Sequence, residues 1–85
     1  MLDTAKHKIV SFWLTHGFLR RIAKRYPDYF ESWINDLTDS KISKKIMHKR
    51  YIENIKFEAI AIDLNVDVRF VFRKHKEVIE KIINN

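Results

Sequence analysis

The stretch at residues 61–73 constrains the fold more than any other part of this 85-residue sequence. Asn65 stands where the apolar pattern breaks, and asparagine is second only to glycine in adopting a left-handed backbone. Asp67, two residues later, is suited to cap the start of a helix. Ala61 is small where two helices would cross closely, and Val71 returns to the core four residues after the cap. This spacing predicts two helices joined by a tight turn, which is typical of a helix-turn-helix.

The rest of the chain favours helices as well. Apolar residues recur at three- and four-residue steps, as they do on one face of a helix. The chain has only one Gly and one Pro, which argues against a sheet built on hairpins. Pro27 can end one helix and open the next, and Gly17 marks either a kink or a close packing contact. The predicted fold is all-α, a compact bundle of about five helices with a C-terminal helix-turn-helix. The predicted helices span about residues 4–26, 27–37, 41–54, 57–64 and 68–83.

We interpret residues 1–85 as a single domain, since a chain of this size supports one core. Residues 1–40 would form an aromatic pair of helices, and residues 41–85 the helix-turn-helix unit. The aromatic side chains of the first part have two interpretations: they form the core, or they supply a surface for a dimer or another partner. The side chains concerned are Phe12, Trp13, Phe18, Phe30 and Trp33.

The formal net charge of +6 is unevenly distributed. Residues 1–26 carry six Lys or Arg against one Asp, and residues 41–56 carry six against one Glu. Between them, residues 27–40 carry four acidic residues and no basic one. Two basic blocks suit a polyanionic partner that is contacted by two surfaces. The alternative is a solvated, lysine-rich surface with no such partner.

Several chemistries find no support in the sequence. There is no Cys, which excludes disulfides and thiolate metal sites. His7, His16, His48 and His75 lack metal-ligand spacing, and one Gly cannot make a glycine-rich phosphate loop. The serines have no recognisable partner base and acid. We therefore expect no catalytic residues, no metal and no cofactor, and a protein that is not an enzyme.

No apolar run approaches the about 20 residues that span a bilayer. The N-terminus alternates lysines with apolar residues and does not resemble a signal peptide. We therefore expect no membrane partner and a cytoplasmic location.

Three runs carry a family resemblance. They are His-Lys-Arg-Tyr-Ile-Glu at 48–53, Phe-Glu-Ala-Ile-Ala at 57–61 and Val-Phe-Arg-Lys-His at 71–75. Together they resemble the C-terminal domain of sigma factors, which reads the upstream promoter element. They are more similar still to small phage-encoded sigma-like regulators of late transcription. In those regulators the third run has Tyr where this chain has Phe72. The resemblance covers about residues 46–83 and does not extend to residues 1–40.

The resemblance implies that the exposed N-terminal part of the last helix reads bases in the major groove. Arg69 and Arg73 lie four residues apart on one helical face, and each could bind guanine through two hydrogen bonds. Val68 or Phe72 could contact a thymine methyl group. Six further basic residues are predicted to contact DNA phosphates. They are Lys44, Lys45, Lys49, Arg50, Lys74 and Lys76.

Two features leave alternatives open. Phe70 and Phe72 are large and apolar on a helix meant for a polar groove. They could instead pack against the N-terminal aromatics or a second subunit, and we favour partial burial of Phe72. Arg50 could form a structural ion pair, for instance with Glu58.

The function hypothesis is a sequence-specific regulator of transcription that binds double-stranded DNA, derived from a phage or another mobile element. The resemblance to phage regulators implies that it acts in the cytoplasm of a bacterial host cell. Homodimers are expected because one module makes few DNA contacts, and RNA polymerase is a further candidate partner. One alternative is a protein-interaction adaptor or inhibitor, for example of RNA polymerase, built on a helix-turn-helix scaffold. Another is the small DNA-packaging subunit of a phage.

Overall fold

The computed structural model describes residues 4–84 of the chain, which contain five helices and no strand. Helix α1 covers residues 4–25, and α3 covers residues 41–52. The other three are α2 (Pro27–Leu37), α4 (Phe57–Leu64) and α5 (Val68–Asn84). The all-α bundle of about five helices predicted from the sequence is confirmed.

The starts of α2 and α3 have clear local causes. Pro27 occupies the first turn of α2, where its missing N–H removes no hydrogen bond. Ser40 precedes α3, and its hydroxyl oxygen accepts a 3.2 Å hydrogen bond from the backbone N–H of Ser43. This satisfies one of the free N–H groups that every helix start leaves.

Two helices contain a π-helical turn that the sequence pattern did not predict. In α1 the turn Leu14–Phe18 joins the α-helical segments Thr4–Trp13 and Leu19–Arg25. In α3 the turn His48–Ile52 follows Lys41–Met47, so the helix ends two residues before the predicted boundary. Gly17 lies in the first π turn, and a Cβ added there would meet no atom within 4 Å. The close-packing interpretation of Gly17 is therefore wrong.

Two groups of buried side chains form the core. The larger joins α1, α2, α3 and α5; its members are Leu14, Leu19, Ala23, Phe30, Ile34, Met47, Tyr51, Val78 and Ile79. The smaller joins α3, α4 and α5 through Ile46, Ile60, Ala61 and Val71. Both α3 and α5 contribute to each group, so the C-terminal half of α5 packs on the N-terminal helices.

The N-terminal aromatics divide between the two interpretations. Phe30 is buried in the larger group, and Phe18 and Trp33 pack against it partly buried. In contrast, Phe12 and Trp13 keep 65% and 56% of their surface exposed, beside Ile9 at 70%. Within the described range, no helix is both long enough and apolar enough to cross a membrane.

Candidate nucleic-acid interface

The turn between α4 and α5 has the predicted local geometry. Asn65 adopts a left-handed backbone, with φ 57° and ψ 49°. The N–H groups of Asn65 and Val66 donate to the carbonyls of Ile62 and Ala61 at 3.1 and 3.0 Å. This pair of hydrogen bonds closes the end of α4 as a Schellman motif.

The start of α5 is capped by Asp67, as predicted. Its Oδ1 accepts a 2.8 Å hydrogen bond from the backbone N–H of Arg69. That bond, together with a weaker one from the Arg69 side chain, lowers the pKa of Asp67. Val71 is fully buried against Ile60 and Ala61 of the smaller core group. The Asp67 cap and the buried Val71 together fix which side of α5 faces outward.

The outward side of α5 carries four side chains in one stripe. At about 100° per residue, positions 69, 72, 73 and 76 fall within roughly 100° of the helix circumference. All four are exposed, the Arg69 side chain to 88%. We call Arg69, Phe72, Arg73 and Lys76 the α5 stripe. It brings together three of the four predicted base-contacting residues, and it leaves out Val68, which packs half-buried against the smaller core group.

Phe72 stands on the stripe with one side of its ring covered. Its centroid lies 5.1 Å from that of Phe57 on α4, in an edge-to-face arrangement, and 44% of the residue remains exposed. The alternative that Phe72 packs against the N-terminal aromatics is therefore wrong, because its aromatic neighbour, Phe57, belongs to α4. Phe70 lies off the stripe, half-buried, with the Arg73 guanidinium carbon 5.4 Å from its ring centroid.

Arg50 joins the end of α3 to this aromatic pair. Its guanidinium carbon lies 4.2 Å from the centroid of Phe57, within cation–π range, and its Nη1 donates to the carbonyl of Ile55 at 3.3 Å. Arg50 and Glu58, both within the described range, form no salt bridge, so the suggested ion pair is wrong. Burial and then the charge of Arg20 lower the pKa of Arg50.

The predicted phosphate-binding residues are not all on one surface. Lys49 donates to Asp63 Oδ2 at 2.7 Å, which ties α3 to α4 and raises the pKa of Lys49. Lys45 and Lys49 line one groove, together with His48 and Glu53. Lys44 lines a second groove, together with Glu31. Among the described side chains, Lys49 forms a salt bridge and Lys44 and Lys45 form none, because Glu31 and Glu53 contact His48 instead. Lys74 lies 3.5 Å from Glu77 and turns away from the α5 stripe, which contains Lys76.

A largely buried polar contact holds α5 to the end of α3. The hydroxyl of Tyr51 and Nε2 of His75 are 2.6 Å apart, and the two rings stack with centroids 5.8 Å apart. Burial lowers the pKa of His75 to about 4 and raises that of Tyr51 to about 12. Near neutral pH the Tyr51 hydroxyl therefore donates to an uncharged imidazole. Phe57 covers His75, with centroids 4.9 Å apart, and also packs on Phe72, so it links this contact to the α5 stripe.

One basic residue of this region was missed by the sequence analysis. Arg20 of α1 donates from Nη1 to Oδ1 of Asn54 at 2.8 Å, in the loop between α3 and α4. The basic block at residues 1–26 was its only signal, because the chain separation of 34 residues hides the contact. Among residues 9–84, whose side chains the structure describes, no three His, Asp or Glu side chains converge in a way that would hold a metal ion.

Comparisons with known proteins add no family to this geometry. No protein-family model matches the chain, and no significant match was found among the curated proteins or the solved structures.

Proposed function

We propose that the protein is a sequence-specific transcription regulator that binds double-stranded DNA through α5. The observation that carries this proposal is the α5 stripe, where two exposed arginines lie near the start of a capped helix that follows a tight turn. In helix-turn-helix proteins the second helix enters the major groove and its N-terminal residues contact base edges. Arg69 and Arg73 have the side chain that pairs most often with guanine.

Each residue of the stripe has a distinct role in the proposal. Arg69 and Arg73 read bases, while Lys76, one turn further along, contacts a phosphate. Phe72 offers the exposed part of its ring to a thymine methyl group, and Phe57, which is itself in contact with Arg50, packs against the other side of that ring. The sequence resemblance to sigma-like phage regulators supports the same role, and it is the reason for proposing a phage or mobile-element origin and RNA polymerase as a partner.

The test begins with selection of bound sequences from a random duplex pool, followed by fluorescence polarisation at physiological salt. We expect Arg69→Ala and Arg73→Ala each to weaken binding to the selected duplex by about 5- to 150-fold, because a bidentate arginine–guanine contact is worth about 1–3 kcal/mol. Arg69→Lys and Arg73→Lys keep the charge but lose the planar fork. They should therefore bind with relaxed sequence preference at one position each.

Lys81→Ala is the matched control. Lys81 is an exposed residue of the same helix, near its C-terminal end, and its replacement removes the same charge away from the stripe. We expect this control to bind nearly as the unchanged protein does. If the Arg69→Ala, Arg73→Ala double variant folds and still binds the selected duplex like the control, the proposed function is wrong.

The proposal includes a homodimer, because a single helix-turn-helix module makes few contacts. Ile9, Phe12 and Trp13 supply an exposed apolar surface on α1, of the aromatic kind found in interface cores. We expect Phe12→Ser with Trp13→Ser to lower the molar mass measured by sedimentation equilibrium from dimer to monomer. An unchanged mass would assign the dimer to another surface or remove it from the proposal.

A second candidate is a protein-interaction adaptor or inhibitor, for example of RNA polymerase. The half-exposed ring of Phe72 favours it, since an apolar side chain in the centre of the stripe also suits a protein surface. The polarisation assay separates the two, because an adaptor would show only weak, strongly salt-dependent duplex binding without sequence preference.

A further inference from the structure

The basic end of α1 has two flanks with different surroundings. Leu19 and Ala23 are buried in the larger core group, and Arg20 and Lys24 follow them directly in the sequence. At about 100° per residue, Arg20 and Lys24 therefore share one flank of α1. Arg21 and Arg25 lie about 100° further around the helix axis, on the outer side. Among residues 4–84, none of these basic side chains forms a salt bridge with an acidic one.

The flank of Arg20 and Lys24 faces the loop that precedes α4. Both side chains line a groove between α1 and the end of α3, together with Tyr51, Ile52 and Asn54. Asn54 has a left-handed backbone, with φ 59°, and its side chain accepts the hydrogen bond from Arg20. The guanidinium of Arg20 is thereby held at the loop.

A continuous series of contacts leads from this groove to the α5 stripe. Arg20 is bonded to Asn54, and Arg50 donates to the carbonyl of the next residue, Ile55, at 3.3 Å. Arg50 lies over the ring of Phe57, and Phe57 packs on Phe72 of the stripe. Arg20 and the stripe are thus at two ends of one surface, which runs from α1 over the start of α4 to α5.

Positive charge on this surface lacks a matching anion. Arg20 is bonded to the amide oxygen of Asn54 and not to a carboxylate, and Lys24 is exposed. Among residues 9–84, whose side chains the structure describes, no acidic side chain forms a salt bridge with either of them. Two basic side chains without a carboxylate partner suit an anion that a partner supplies.

The position of the surface identifies the anion. In helix-turn-helix complexes the recognition helix lies in the major groove while the first helix of the pair crosses the DNA backbone. The loop before α4 leads into that first helix, and Arg20 is held at the same loop. We propose that Arg20 and Lys24 bind phosphates of the DNA that flanks the site read by α5, so that the footprint includes the N-terminal half of the chain. This inference rests on the proposed function.

The test compares two double variants of α1. Arg20→Ala with Lys24→Ala removes two charges from the inner flank, and Arg21→Ala with Arg25→Ala removes two from the outer flank of the same helix end. Binding to the selected duplex, extended to roughly three helical turns, is measured over a series of salt concentrations. Each phosphate contact contributes about 0.9 to the slope of log K against log salt. We expect the inner-flank variant to reduce the magnitude of that slope by about 1.8 and the control to change it little.

Two further measurements separate contact from fold and from general charge. Arg20→Gln with Lys24→Gln removes the charges, while the amide introduced at position 20 can still donate to Asn54. This variant should reproduce the smaller slope with unchanged thermal unfolding. Selection from the random pool should return the same sequence for the inner-flank variant, because phosphates carry no base information. Equal slopes for the inner- and outer-flank variants would overturn the inference. If the unchanged protein does not bind duplex DNA, the proposed function on which this inference rests is itself wrong.

Discussion

Lowering the pH from about 7 to about 4 is expected to destabilise the protein by about 3 kcal/mol through His75 alone. Burial lowers the pKa of His75 to about 4 in the folded protein, whereas an unfolded histidine titrates near 6.5. Between these values the unfolded chain binds a proton that the folded chain does not. The unfolded state therefore gains stability relative to the folded state as the pH falls through this window. Above about pH 6.5 the folded protein keeps the full stabilising contribution of the neutral His75.

The physical reason lies in the contact with Tyr51. The neutral Nε2 of His75 accepts a hydrogen bond from the Tyr51 hydroxyl at 2.6 Å. A proton on Nε2 would remove that acceptor and place a charge beneath the ring of Phe57. The positive charge of Arg50 also disfavours this proton and further lowers the pKa of His75. Since His75 lies on α5, two turns from its start, acid should weaken the contact between α5 and the end of α3.

Urea unfolding followed by tryptophan fluorescence, repeated between about pH 6.5 and about pH 5, measures this effect before most carboxylates titrate. His75→Gln should flatten the pH dependence, because the amide oxygen of the new side chain can still accept from Tyr51 but takes up no proton. His16→Gln is the control, since His16 is exposed on α1. Equal pH dependence in the unchanged protein and in His75→Gln would contradict the prediction.

Local features of the fold were predictable from the sequence because their causes are local. The apolar period placed α2 and α4 at their observed bounds. Asn65 and Asp67 act through hydrogen bonds to residues within five positions, so the turn could be derived without knowledge of the rest of the chain. The α5 stripe follows from the same period once Val71 is known to point inward.

Contacts between helices could not be derived in this way. The pairing of Lys49 with Asp63 depends on how α3 crosses α4, which the apolar period does not specify. The same holds for Phe57 beneath Phe72 and for Arg20 at Asn54. A π turn adds one residue to the turn, so the buried positions of α1 step from Leu14 to Leu19 and depart from the three- and four-residue period that the sequence analysis used. The site was therefore predictable along α5 and unpredictable across the helices.

The second large effect concerns Phe30, which is expected to support α5 from α2. Phe30 is 1% exposed, and its ring centroid lies 5.8 Å from that of Tyr51, the residue that bonds His75. Phe30→Ala should lower the free energy of unfolding by about 3–5 kcal/mol, because truncation leaves a cavity in addition to the lost apolar burial. Proteins of this size are commonly stable by only about 5–15 kcal/mol, so much of the stability would be lost.

Tyr29→Ala is the matched control, since Tyr29 is the adjacent aromatic residue of α2 and is exposed. Its replacement should change the free energy of unfolding by no more than about 0.5 kcal/mol. The two variants are compared by urea unfolding, followed by tryptophan fluorescence and by far-ultraviolet circular dichroism.

The two signals distinguish one cooperative unit from two. Trp13 and Trp33 report on α1 and α2, whereas circular dichroism reports on all five helices. Because α3 and α5 contribute to both core groups, we expect the two transitions of Phe30→Ala to coincide, as in a two-state protein. A fluorescence transition at lower urea, with helical signal and duplex binding retained, would show that the helix-turn-helix folds without α1 and α2. The cavity at Phe30 would then leave the α5 stripe intact, and the N-terminal helices would act only through their own surfaces.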